Sequence, residues 1–88
     1  MFRLWAKIWH ENHLIKDMVV ENSSDDTRTH KVFQAVEDIS VSFDLPKPLW
    51  LEKNVNEFKK SAHTRFYQDS FIEDVDFDYL EIQIIEED

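Results

Sequence analysis

The sequence predicts an α+β fold in which one main helix packs across a small mixed sheet. Three patterns carry this expectation. Residues 2–9 alternate apolar and polar side chains, Val32, Val36, Ile39 and Phe43 recur at spacings of four, three and four, and residues 79–86 return to alternation. The first and last are the period of a half-buried strand, and the middle one is the stripe of a helix that faces a core. A chain of 88 residues buries about two-thirds of its unfolded surface. One small globular domain over 1–88 is therefore expected, with seven Phe, three Trp and two Tyr to fill its core.

Each element follows in order. In strand one, Phe2, Leu4, Ala6 and Ile8 share one face, and Arg3, Trp5, Lys7 and Trp9 share the other. The polar residues His10, Glu11, Asn12 and His13 read as a turn, and residues 14–20, rich in β-branched side chains, as the second strand of a hairpin. A polar loop ends in Ser24, Asp25, Asp26 and Thr27, whose oxygens suit a helix N-terminus, so a helix is expected from near Asp25. It stops before Leu45, because Pro46 disfavours helical backbone in its predecessor. Residues 45–51, with two prolines, read as an extended segment or short edge strand. Asn54 is expected to cap a helical turn through Val55, Phe58 and Ala62, and residues 64–72 to form a strand. Residues 79–86 close the order ββαβ(α)ββ, with Leu80, Ile82 and Ile84 on one face.

This order resembles the ubiquitin-like β-grasp, in which a helix crosses a mixed sheet and the two terminal strands lie side by side. The β-grasp modifiers and sulfur carriers use a terminal Gly-Gly, whereas this sequence reads Glu86-Glu87-Asp88, so conjugation and sulfur transfer are not expected. The chain also resembles short acidic conserved bacterial proteins of unassigned function. The stretches Asp26-Thr27-Arg28-Thr29-His30-Lys31-Val32-Phe33 and Phe77-Asp78-Tyr79-Leu80-Glu81-Ile82-Gln83 carry that likeness, which implies a bacterial origin and no mechanism.

Composition excludes several functions. The net charge is -9, and all of it resides in residues 69–88, which hold nine acids and no Lys or Arg. Phosphate backbones and anionic lipid surfaces repel such a chain, so neither nucleic acid nor a membrane is expected as a partner. Glycine is absent, which removes the phosphate-cradling loops and the nucleophile elbow, since both need a residue without a side chain. No cofactor is expected. The absence of cysteine suits a reducing compartment. Residues 1–9, interrupted by Arg3 and Lys7, read as neither signal peptide nor membrane span, so a cytoplasmic protein is expected.

Three constellations remain as candidates. Asp74, Asp76 and Asp78 alternate with Val75 and Phe77, so an extended backbone puts three carboxylates on one side. A calcium loop needs Gly and Glu where Tyr79 and Ile85 stand, so the triplet reads as a solvated acidic edge or as a contact for a basic protein. His10 and His13 flank the expected turn. They are three apart, whereas the zinc-protease motif sets its histidines four apart on a helix, so exposed loop histidines are the plainer reading. On strand one, Arg3, Trp5, Lys7 and Trp9 interleave two indoles with two cations. This face is either a second small core covered by the Trp50 and Phe58 segment, or an interface. Together these readings give a non-enzymatic protein-interaction module, with a protein partner or a second copy of the chain contacting Arg3, Trp5, Lys7, Trp9, Asp74, Asp76 and Asp78. The alternative is a metal-binding protein or small enzyme that uses His10, His13 and the acidic segment.

Overall fold

The computed structural model describes residues 1–87. Four strands, β1 (Phe2–His10), β2 (His13–Asn22), β3 (His63–Phe66) and β4 (Tyr79–Glu86), form one sheet in the order β2-β1-β4-β3. Two helices, α1 (Arg28–Ser42) and α2 (Glu52–Ser61), lie between β2 and β3 in the chain. The α+β class and the strand–helix order are as expected. The sheet, expected to be mixed, is antiparallel in all three ladders. The first and last strands are neighbours, and the antiparallel register sets Lys7 opposite Glu81 and Arg3 opposite Glu86. Opposite charges meet directly across the ladder, a pairing that stabilises this register.

The hairpin turn consists of Glu11 and Asn12, both with positive φ (51° and 65°), the geometry whose twist matches the two strands it joins. The Glu11 N–H donates to Asp78 Oδ2 at 2.8 Å, which ties the turn to the start of β4. Ile15 is an extra residue in β2, because Ile8 faces Lys16 while Trp9 faces Leu14.

α1 begins three residues later than expected. Ser24 N–H donates to Asn22, Asp26 N–H to Ser24 and Thr27 N–H to Asp26, and this relay holds the loop out of the helix. Thr27 is the N-cap and accepts the His30 N–H at 3.2 Å. Val32, Val36 and Ile39 are buried and Phe43 is half-buried against the same core. At the far end Asp44 turns left-handed (φ 55°) and Leu45 N–H closes back on the Ser40 carbonyl.

Residues 45–51 form no strand. Pro46 and Pro48 have no N–H to offer a ladder, and the segment is instead held by Leu49 N–H on the Ser70 carbonyl. α2 starts earlier and runs longer than the expected turn, with Leu51 at the N-cap position. Asn54 sits inside the first turn and reaches back, its Oδ1 accepting the Leu51 N–H at 3.1 Å. The strand expected over 64–72 ends at Phe66. Gln68 bonds through its amide to the Glu73 carbonyl and the Val75 N–H, which folds residues 68–75 into a compact loop with a short 3-10 turn at Gln68–Ser70.

Both helices pack on one face of the sheet. There Phe2, Leu4, Ala6 and Ile8 of β1, Leu80 and Ile82 of β4 and Phe66 of β3 meet Val32, Val36 and Ile39 of α1 and Phe58 of α2. Trp50 lies edge-on to Phe58 and Phe66 at 5.5 and 5.1 Å on this same side. The Trp50 and Phe58 segment therefore does not cover the opposite face, because its aromatic rings are claimed by the core beneath α1. The result is two layers, with the outer face of the sheet left without a helix.

Candidate functional site

The outer face is built from four strands. β1 contributes Arg3, Trp5, Lys7 and Trp9, all half-buried, and across the ladders stand Leu14, Asp17, Val19 and Glu21 of β2, Tyr79, Glu81 and Gln83 of β4, and His63 and Arg65 of β3. With no layer above them, these side chains cover one another.

At the centre is Glu81, only 6% exposed. Its Oε1 accepts the Trp9 indole N–H at 2.9 Å and lies 3.3 Å from Lys7 Nζ. Its Oε2 accepts from His63 Nε2 and from Arg65 Nε, the latter at 3.3 Å. Burial opposes ionisation of this carboxyl, but the hydrogen bonds from His63 and Trp9 and the charge of Lys7 outweigh it and hold the pKa at about 2. A buried carboxylate is tolerated only when its lone pairs are filled, and here four donors converge on two oxygens.

The aromatic side chains are fixed by this network. Lys7 Nζ sits 3.9 Å above the Trp5 ring, and the Trp5 indole N–H donates to Asp17 at 2.8 Å. Trp9 packs against Tyr79 at 6.5 Å, Tyr79 against Tyr67 at 5.4 Å, and the Arg65 guanidinium lies 4.8 Å from the Tyr79 ring. Arg3 pairs with Glu21 at 3.1 Å and with Glu86 at 3.6 Å. Both indoles are thus held by a named acceptor, and Leu14, Val19 and Tyr67 stand exposed around them.

The acidic triplet lies at the hairpin end of the sheet. Asp74, Asp76 and Asp78 are exposed while Val75 and Phe77 pack on the core, the alternation the sequence implies. Asp74 and Asp76 line one groove with Asp44 and Glu73. Asp78 is apart from them: it accepts the Glu11 N–H, and its own N–H donates to the Trp9 carbonyl at 2.8 Å. His10 and His13 face each other across the base of the hairpin, with His10 Nδ1 3.5 Å from Asp78. Among the described residues no group of three or more His, Asp or Glu side chains is placed to hold a metal ion.

The structure therefore gathers Arg3, Trp5, Lys7 and Trp9 on one face, places Asp78 beside its end, and leaves Asp74 and Asp76 around the corner. Sequence reasoning missed Glu81, His63, Arg65 and Tyr79. The available signal was Glu81, an outward-facing acid in the middle of an apolar strand. No protein-family model, curated protein or solved structure matches the chain. No helix among the described residues is long and apolar enough to cross a membrane.

Proposed function

We propose that this chain is a small non-enzymatic protein-interaction module whose contact surface is the outer face of the sheet. One observation carries the reading: the face that no helix covers is the face that holds Trp5 and Trp9, with Leu14, Val19 and Tyr67 exposed beside them. Aromatic clusters of this kind on an open sheet are typical contact anchors. The ordering of the indoles by Asp17 and Glu81 supports the same reading, because side chains already fixed lose little freedom when a partner docks.

The size of the face bears on the partner. Nine residues of β1 flanked by two neighbouring strands give about 30 by 15 Å, roughly 450 Å², against about 800 Å² per side in a standard interface. A partner that makes a full contact therefore also covers the adjoining β2 edge or the acidic corner of Asp74, Asp76 and Asp78. In the second case its surface is basic there, and the carboxylates speed and orient docking.

Capture of proteins from a lysate of the source cells tests this with three baits: the wild type, a Trp5→Ser/Val19→Ser variant and an Asp74→Asn/Asp76→Asn/Asp78→Asn variant. The expected result is one protein retained by the wild type, lost by the first variant, and held by the second with a flatter salt dependence. Sedimentation of the same variants shows whether the partner is a second copy. Retention that is identical for all three folded baits removes the outer face from the account.

A further inference from the structure

On the opposite side of the molecule, between the first turn of α1 and the middle of α2, lies a slot of about 220 Å³. Its walls are Val32, Phe33, Trp50, Val55 and Phe58, almost wholly apolar, with the Trp50 ring edge-on to Phe33 at 5.9 Å and to Phe58 at 5.5 Å. Two cations, Arg28 and Lys59, stand at its rim.

Arg28 is not placed there for the stability of its helix, whereas Lys59, in the last turn of α2, faces the negative end of its own helix dipole. Arg28 is the first residue of α1, where the helix dipole presents its positive end, and the first turn holds no acid. The guanidinium lies 5.6 Å from the Phe58 ring, and its Nε donates to both carboxylate oxygens of Glu87, at 3.1 and 3.2 Å. Arg28, which lines the slot, thus already holds a carboxylate. Lys59 has no hydrogen bond or ion pair among the described residues.

The volume is below the roughly 300 Å³ at which drug-sized ligand pockets begin, so the slot fits one ring or a short hydrocarbon chain. A neutral apolar molecule would leave Lys59 without an ion pair and Arg28 with Glu87 as its one carboxylate. We propose that the slot binds a small monocarboxylate with an apolar body, an aryl-alkanoate or a medium-chain fatty acid, whose carboxylate is taken by Arg28 and Lys59 in competition with the chain's own Glu87. The body lies between Phe33, Trp50 and Phe58. This site shares no residue with the outer face of the sheet and does not depend on its role.

Calorimetric titration with 3-phenylpropionate and octanoate, each beside its alcohol of equal length, tests the assignment. Saturable binding is expected, with each acid at least about tenfold tighter than its alcohol, the gain of a charge-assisted pair. Arg28→Gln is expected to erase that preference, Val55→Trp to abolish binding by filling the slot, and Glu87→Gln to strengthen binding by freeing Arg28. Thermal melts establish that each variant is folded. The last variant is the most telling, since removal of an exposed acid has no reason to unfold the chain. No saturation by either acid, equal affinity for acid and alcohol, or binding weakened or unchanged by Glu87→Gln overturns the proposal.

Discussion

Lys7 of β1 stands directly across the ladder from Glu81 of β4, with Nζ 3.3 Å from Oε1, and the same ammonium caps the ring of Trp5 at 3.9 Å. One cation thereby joins the carboxylate at the centre of the outer face to the aromatic group at its side. The open side of the sheet is organised by charge where the covered side is organised by hydrocarbon.

That organisation makes the fold sensitive to acid. Glu81 titrates at about 2 in the folded chain against an ordinary value of 4.5, so the folded state favours its ionised form. Its contribution is complete above about pH 5 and is lost as the pH falls through about 4 towards 2, for a total of up to about 3 kcal/mol. Melting curves from pH 7 to 2 are expected to show the wild type losing more stability than Glu81→Gln over that window, the two converging at the acid end. Parallel curves would assign the acid sensitivity to other groups.

The two outer tryptophans differ in what their N–H groups hold. Trp9 donates to buried Glu81, whereas Trp5 donates to Asp17 at an exposed site. Trp9→Phe is expected to cost about 1–2 kcal/mol and Trp5→Phe less than about 0.5, because only the first leaves a buried charge short of a donor. Chemical denaturation of the two variants measures the difference.

Asn54 joins three segments. Fully buried, it donates to Thr64 Oγ1 at 3.0 Å and to the Arg65 carbonyl at 2.9 Å while it accepts from Leu51 N–H and, at 3.4 Å, from Ser70 Oγ. Asn54→Ala removes all four bonds and strands their partners, so a loss of about 3 kcal/mol or more is expected in equilibrium unfolding. A loss below 1 kcal/mol, by the same rule, would show that water replaces the amide.

Among the described residues four, Glu11, Asn12, Asp44 and Ala62, occupy positive φ in a chain with no glycine. Ala62 (φ 55°) ends α2 with its N–H on the Phe58 carbonyl, the position that glycine most often fills. Ala62→Gly is expected to raise the stability by about 0.5–1 kcal/mol, since the left-handed cost of a Cβ disappears. An unchanged or lower melting temperature would place the determinant of this turn elsewhere.

The sequence was most legible where one physical rule acted alone. Alternation located β1 and β4, and the stripe from Val32 to Phe43 located α1, because in each case a single buried face dictates the spacing. It was least legible where side chains bond to the backbone. Asn54 looked like a cap because amides favour caps, yet it lies within the first turn of α2, recruited by Thr64 and Arg65 from ten and eleven residues on. Gln68 ended β3 early through bonds to Glu73 and Val75 that no propensity encodes. The mixed sheet was expected from element order, which does not give strand direction. The candidate site was half legible: Trp5 and Trp9 were visible as an aromatic pair on one face, while Glu81 became central only through its register with Lys7 and its neighbours His63 and Arg65.

Because β4 follows β3 in the chain but sits between β1 and β3 in the sheet, the sheet cannot be built up strand by strand in chain order. The β1–β2 hairpin and both helices precede in the chain the strand that joins the two halves of the sheet. Until that strand is in place β1 has a bare edge and the core of Phe2, Leu4 and Ile8 lacks Leu80 and Ile82. Completion of this sheet therefore depends on a non-local step, the capture of residues 79–86 between β1 and β3.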